Sequence, residues 1–408
     1  MTNNIDLSNQ HYLENLELVG YSDLGEKPGF KMAIQVVDNR WYLYVAHLWE
    51  PGWSILDVTD PEEPKLLKYI SGPSNTWTLQ IQVADSLMLT SLEKISPGWG
   101  GNDNEPNGEG IILWDVSQPD SPVELSRLKF GAKGTHRNFY AGGRYAHLAA
   151  SVPGYEGNIY LVIDLLDPAN PKEVSRWWLP EQDISKNPDA GKVKISLHGP
   201  AHVEGDRVYL PYGHGGMVIL DISDISAPKL VSKLDFGPDM GSKIGVHTVL
   251  PVPGTSIAVV NTEAIKENSN EPYNYTAIVD IKDEKNPKIL SFFPLPKVPL
   301  GQPADYFVTK GGRFGPHNQH HPQGQPHLLV RSDLIYLTYF NAGLRLYDIQ
   351  DPFRPREVGS FLPANPQKRY GFKPTTLVSQ TEDVLVDARG HIYITDKNHG
   401  IFILREKA

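Results

Sequence analysis

The chain has 408 residues and a formal net charge of −10, from 38 Lys and Arg against 48 Asp and Glu, with 40% hydrophobic residues and no cysteine. That is globular composition, and without a run of Lys or Arg neither a nucleic-acid backbone nor an anionic membrane is expected as a partner. The lack of thiols excludes disulfides, thiolate zinc sites, iron–sulfur clusters and cysteine nucleophiles, so His, Asp and Glu remain as metal ligands.

The opening MTNNIDLSNQHYLENLELVG holds neither a basic nor an apolar leader pattern. No later segment approaches the ~18 apolar residues of a membrane span, so a soluble, cytoplasmic protein is expected. Six segments then follow one another in a single register: GWSILDVTDPEEPKLL, GIILWDVSQPDSPVEL, YLVIDLLDPANPKEV, GMVILDISDISAPKLV, TAIVDIKDEKNPKIL and GLRLYDIQDPFRPREV. In each an Asp is followed seven residues on by a Pro, as Asp57 by Pro64, Asp115 by Pro122, Asp164 by Pro171, Asp221 by Pro228, Asp280 by Pro287 and Asp348 by Pro355.

Each segment has an apolar run ending at the Asp, a turn rich in Asp, Ser, Asn and Pro, and a second apolar run after the Pro, which reads as strand, turn, strand. Upstream lies another pair split by a Gly or Asp turn, such as HVEGDRVYLPYG or VRSDLIYLTYF. One repeat is therefore a four-stranded meander of about 50 to 60 residues, the sequence form of a propeller blade. A seventh unit, HIYITDKNHGIFILRE, ends at its third strand with Arg405 in the Asp position, and NLELVGY at residues 15–21 has the pattern of the missing fourth. The expectation is an all-β chain forming a single seven-bladed β-propeller, with blades at about 31–70, 77–130, 136–179, 198–236, 247–296, 327–363 and 382–406, the last completed by 15–21 so that no edge stays open.

The LVID at residues 161–164, with its relatives SILD, VILD and AIVD, closely resembles the repeat that defines the LVIVD repeat family, and the resemblance extends over nearly the whole chain. It implies repeat architecture and says little about chemistry, since that family is defined by its repeat.

In such a meander the start of the first strand, the end of the second and the loop leading into the blade lie on one face of the ring. Histidines recur at those places. His136, His198 and His247 fall at matching first-strand positions, with His202 four residues beyond His198. The stretch GPHNQHHPQGQPHLLV at residues 315–330 leads into the sixth blade with His317, His320, His321 and His327. Glu382 and Asp383 occupy the equivalent place in the seventh blade, Gln80 and Gln82 in the second, and His47, Glu93, His214 and Glu263 fall at second-strand ends.

Imidazoles from separate strands of a rigid ring can converge on one cation at about 2.0–2.2 Å, with carboxylates orienting their other nitrogens. The expected ligands of a divalent ion are His136, His198, His247 and one of His320 or His321, with His202, Glu263 and Asp383 as candidate catalytic groups or orienting partners. Such a donor set suits iron, manganese or zinc, and no nucleotide or flavin signal accompanies it. The carotenoid-cleaving oxygenases are similar in one respect, holding iron with histidines from separate blades of a seven-bladed propeller, although none of their sequence motifs occurs here.

The expected function is a metal-dependent enzyme acting on a small organic molecule, with oxidative cleavage, hydration, hydrolysis and lyase chemistry all open. Two alternatives stand beside it. One is a metal-free enzyme in which His198 or His247 moves protons while Arg137 and Lys373 hold an anionic substrate; the other is an interaction scaffold without catalysis. Trp49, Trp53, Trp77 and Trp99 gather in the first two blades near the same face, where blade packing is the expected role and the lining of an aromatic pocket the alternative, and the repeated Asp is expected to cap its turn. No GxSxG occurs, which argues against a serine hydrolase of that type.

Overall fold

The computed structural model describes residues 9–187, 189–190, 195–236 and 243–407. Its strands pair antiparallel, and the helical segments among these residues are the α-helix Tyr306–Thr309 and the 3-10 turns Pro97–Trp99 and Pro180–Gln182. None of them is long and apolar enough to cross a membrane.

Five sheets have four strands and one has nine. The first meander runs Gly29–Val37, Arg40–His47, Gly52–Asp57 and Lys65–Ser71, neighbour to neighbour. The nine-stranded sheet consists of two such meanders, Ile81–Ala84 to Val123–Leu128 and Gly134–Phe139 to Lys172–Trp177, bridged where Gly134 pairs with Glu93, and of the short strand Thr76–Trp77 pairing with Leu87–Lys94. The others span His202–Leu234, Ile244–Phe292, Leu334–Leu362 and Thr381–Glu406. Burial follows the sequence pattern within each unit. The third strands are buried up to their final Asp, as in Met217–Asp221, whereas a fourth strand such as Lys65–Ser71 alternates little and stays exposed.

The repeated Asp residues do one structural job. Each Oδ1 accepts the N–H two residues ahead, at 2.9 Å for Asp57, 2.8 Å for Asp115, 2.9 Å for Asp164, 2.8 Å for Asp221, 2.8 Å for Asp280 and 2.9 Å for Asp348. These are Asx turns, in which the carboxylate satisfies a donor released at the strand end. A register shift recurs just before each Asp, for example between Ile55 and Leu56 and between Ile219 and Leu220, and turns the fourth strand against the third.

The core lies between meanders rather than within them. Tyr44 and Ile55 pack with Ile112 and Trp114, Leu113 with Leu161, Tyr160 with Val208, Ile219 with Val260, and Ile278 with Tyr347. Leu346 then packs with Ile394, and Tyr393 and Ile403 pack with Val45 and Leu56, which returns the series to the first meander.

Leu16–Ser22 pairs with Gly400–Glu406 as the fourth strand of the last sheet, as NLELVGY led us to expect. Arg405 is explained by the same pairing, because its Nε donates to Glu17 Oε1 at 2.6 Å across the two strands. A further strand, Tyr12–Glu14, adds to the edge of Arg356–Leu362, so the N-terminal segment pairs with two sheets. Its side chains alternate too little for so short a strand to be visible in the sequence.

Candidate functional site

Three imidazoles reach toward one carboxylate. Glu263, at the end of Ile257–Glu263, has its Oε2 3.0 Å from His198 Nε2 and 3.4 Å from His247 Nε2, and its Oε1 lies 3.7 Å from His317 Nε2. His247 stands on Ile244–Pro251, while His198 and His317 come from the segments leading into their meanders. His136, on Gly134–Phe139, extends the row, its ring centroid 4.5 Å from that of His198; His198 to His247 is 5.4 Å and His247 to His317 is 4.8 Å.

Two of these rings are held from behind. His136 Nδ1 lies 2.6 Å from Glu93 Oε2, and His317 Nδ1 lies 2.7 Å from the Glu382 carbonyl oxygen. In both rings Nε2 is buried and has no hydrogen-bond partner. A ring fixed through Nδ1 with a bare Nε2 is the arrangement of metal-binding histidines, whose far nitrogen is held by a carboxylate or carbonyl.

Cations balance the acids. Arg313 donates to Glu263 Oε1 at 2.9 Å and to Glu382 Oε1 at 3.1 Å, and Lys397 Nζ lies 2.8 Å from the same Glu382 oxygen. Arg137 is fully buried, and its Nη2 donates to His247 Nε2 at 2.9 Å. Burial, reinforced by the nearby Arg137, pushes His247 and His317 well below the ordinary imidazole value, so both are neutral lone-pair donors near pH 7. Burial alone would raise the Glu263 carboxyl, but the hydrogen bond from His198 and the Arg313 guanidinium at 2.9 Å hold it below the usual range. Burial, with Arg313 beside it, lowers Lys397 to about 8.

The cavity above this cluster has a volume of about 280 Å³. Phe30, Leu48, Trp77, Leu79 and Trp99 form its apolar wall, opposite His136, His198 and Glu263. Trp49 donates its indole N–H to the Trp99 carbonyl at 2.9 Å and fixes that wall, while Trp53 packs against Trp114 between sheets. Trp77 and Trp99 thus follow the aromatic-pocket alternative, and Trp53 the packing role.

The remaining expected residues lie elsewhere. Both nitrogens of His320 serve the backbone, Nε2 with the Leu329 carbonyl at 2.8 Å and Nδ1 with the Val386 N–H at 3.1 Å. His321 and His202 meet each other instead, with ring centroids 4.0 Å apart, beside a separate cavity. Asp383 points away from its neighbour Glu382 and takes Lys31 Nζ and the Met32 N–H, both at 2.9 Å. His47 is enclosed by Ser54 and Pro28, and His327 sits against Trp41. Alternation along a strand explains the Glu382–Asp383 difference, since adjacent side chains face opposite ways.

Arg313 and Lys397 were missed. Lys397 directly follows the second strand of its meander, where other units place His47 or Glu263, so the same alignment contained the signal. Arg313 lies four residues before His317 in an irregular segment that no period marks.

The model of the LVIVD repeat matches residues 201–235, the span of the fourth meander. The chain carries an LVIVD repeat. LVIVD repeats are found in β-propeller proteins, and the match here takes in His202, Asp221 and Pro228. No curated protein matches the chain. Among solved structures, the crystal structure of the computationally designed Ika8 protein (crystal packing No. 1 in P63) is similar over 96% of this chain and 99% of its own, at 9% identity and a TM-score of 0.50. At that identity the likeness concerns fold alone. Neither the LVIVD repeat nor the designed structure assigns chemistry to the histidines, so their function rests on the geometry above.

Proposed function

We propose that this chain is a metal-dependent enzyme acting on a small, largely apolar organic molecule, with its site at one mouth of a single closed seven-bladed β-propeller. The cyclic series of cores, ending with Tyr393 and Ile403 against Val45 and Leu56, supports the closed ring. So does the pairing of Leu16–Ser22 with the last strand of the chain.

One observation carries the metal reading: ligand atoms of His198, His247 and Glu263 lie within 4.8 Å of one another, flanked by the bare Nε2 atoms of His136 and His317. Ligands bound at about 2.1 Å around one ion stand about 3.0–3.4 Å apart in octahedral or tetrahedral order. The 3.0 and 3.4 Å contacts of Glu263 fall in that range, and 3.7 Å lies just outside it. A set of nitrogen and oxygen donors without sulfur suits Fe(II), Mn(II) or Zn(II).

When bound, such an ion polarises a substrate oxygen or acidifies a water. The chain's own groups supply the rest. Glu93 and the Glu382 carbonyl fix the rings of His136 and His317. Glu263, held anionic beside His198 and Arg313, supplies the oxygen donor of the set. Trp77 and Trp99 form an apolar wall that limits water and favours an apolar substrate body. A cytoplasmic setting and independence from nucleic acid and membranes belong to the same reading.

A specific contact favours a metal-free alternative. Arg137 donates into the His247 lone pair that a ligand would use, and with Arg313 and Lys397 it gives the pocket enough positive charge to hold an anionic substrate while His198 moves protons. Elemental analysis of untagged protein separates the two. Bound metal that falls in His136→Ala and His317→Ala supports the first; protein that neither retains nor takes up metal overturns it.

A further inference from the structure

Arg137 lines two cavities. On the strand Gly134–Phe139, His136 lines the larger one, Arg137 lines both, and Asn138 and Phe139 line the smaller. His198 and His202 divide in the same way four residues apart. The smaller cavity has a volume of about 30 Å³, which is room for one small ion and about one water, and for no organic substrate.

Its lining is rich in donors that lack an acceptor among the described residues. Arg137 is 2% exposed, and while its Nη2 is turned to His247, its Nε and Nη1 are buried without hydrogen-bond partners. The side-chain nitrogens of Gln80 and Asn318, residues 1% and 6% exposed, are bare as well. His321 Nδ1 accepts the Gln323 N–H at 3.0 Å, so Nε2 carries the ring proton, and that nitrogen is buried and bare. His202 adds one N–H in either tautomer, because neither of its ring nitrogens has a partner. Against these donors the same lining sets two bare acceptors, Asn138 Oδ1 and the second nitrogen of His202.

The charge is as one-sided as the hydrogen bonding. Glu263 and Glu382 are engaged by Arg313, Glu382 also by Lys397, Asp383 by Lys31, and Glu93 by His136. None of these carboxylates bonds to Arg137, whose one hydrogen bond among the described residues goes to the neutral His247. A buried charge is costly unless it is paired. Burial lowers His202 to about 3 and His321 well below the ordinary imidazole value, so both rings are neutral and the positive charge on the lining belongs to Arg137 and Lys31. Water brings as many donors as acceptors, so a cavity filled with water alone would leave the surplus donors and the guanidinium charge unanswered. An anion answers both.

We propose that the smaller cavity binds one small monovalent anion of the halide class, held by Arg137 together with the Gln80 and Asn318 amides and the His321 ring N–H. A halide accepts hydrogen bonds from several directions and donates none, which matches a wall of many donors. A water beside it donates to Asn138 Oδ1. Lys31 reaches the cavity with its charge paired to Asp383 at 2.9 Å, so Arg137 carries the charge that the anion neutralises. The ion ties Gly134–Phe139 to the segments of Gln80 and Asn318, a structural role that is independent of any ion at the Glu263 cluster.

The test is crystallography of the full-length protein in sodium bromide, read by the anomalous scattering of bromine, together with thermal unfolding in sodium bromide and in sodium gluconate at equal ionic strength. One bromide is expected in the smaller cavity, within hydrogen-bond reach of Arg137. The unfolding midpoint should rise saturably with bromide and not with gluconate, whose anion is too large to enter. Asn318→Asp places a carboxylate among the donors and should abolish the bromide-dependent rise, as should Arg137→Met. Water alone in the smaller cavity, bromide in the larger cavity only, or a midpoint that responds equally to both salts overturns the proposal. So does folded Asn318→Asp that keeps the full bromide-dependent rise.

Discussion

Arg137 Nη2 donates to His247 Nε2 at 2.9 Å, and the other two guanidinium nitrogens, Nε and Nη1, are buried without partners. A guanidinium cannot accept a hydrogen bond, so this contact uses the lone pair through which His247 would bind an ion. Arg137 and a metal therefore compete for one nitrogen, and the Arg137 charge opposes any cation placed beside Glu263. Unit charges about 4 Å apart at an effective dielectric of 20 repel by about 4 kcal/mol, an upper limit that still exceeds the 1.4 kcal/mol of a tenfold change. Arg137→Met should tighten metal binding at the Glu263 cluster by at least about tenfold, read by dialysis against Zn²⁺ or Mn²⁺. If the site works without metal, the variant gains no metal affinity and loses its hold on anionic ligands.

Acid sensitivity follows from histidines outside both clusters. Burial lowers His47 and His147 from 6.5 to about 4, with Ser54 and Tyr160 as their respective hydrogen-bond partners. The folded pKa lies below the unfolded one, so between these values the unfolded chain binds protons that the folded chain does not. Stability is full above pH 6.5 and falls as the pH drops toward 4, by about 2 kcal/mol per histidine on reaching pH 5. Urea denaturation at pH 7.5 and 5.0 should show this loss, and His47→Gln combined with His147→Gln should reduce it. An equal loss in the double variant would assign acid sensitivity to other groups.

The proposed ring closure makes a separate demand on the N-terminal segment. Leu16 is fully buried against the sixth and seventh meanders, and residues 16–22 cover the edge of Gly400–Glu406. Removing residues 1–22, of which 1–8 lie outside the described residues, should expose that edge and lower solubility and unfolding cooperativity. A truncated chain that unfolds with the same midpoint and slope would contradict the closed ring.

The repeat was legible because it is periodic: the Asp-to-Pro spacing, the apolar runs and the strand at 15–21 all recur in the structure. The row His136, His198 and His247 was legible for the same reason, since equivalent strand positions stack around a repeat. The stretch 315–330 was not, because among its prolines and glycines no period fixes where a side chain points. His317 therefore joins Glu263, His320 binds backbone and His321 turns to His202, although all three lie within five residues.

His320→Ala should accordingly act on stability. It removes the acceptor of the buried Val386 N–H and the donor to the Leu329 carbonyl, a loss of about 2 kcal/mol. Denaturant midpoints should fall while metal content per folded chain is unchanged. Loss of metal without loss of stability would place His320 in a metal site.

Glu263 and Asp383 provide the sharpest contrast, because equal chemistry is set in different surroundings. Glu263 lies among His198, His247 and His317 with Arg313 at 2.9 Å, facing the apolar cavity. Asp383 is enclosed, tied to Lys31 and the Met32 N–H, and serves to join Gly29–Val37 to Thr381–Val386. Glu263→Gln keeps the shape and removes the anionic oxygen donor, so metal affinity at the cluster should fall by about tenfold to a hundredfold. Asp383→Asn removes the counter-ion of the half-buried Lys31 and weakens the buried acceptor of the Met32 N–H, and should cost about 1–3 kcal/mol of stability, with metal content per folded chain unchanged. Denaturation and elemental analysis of the two variants, side by side, distinguish the roles. If Asp383→Asn loses metal while Glu263→Gln retains it, the carboxylate at the centre of the imidazoles is not the one that works.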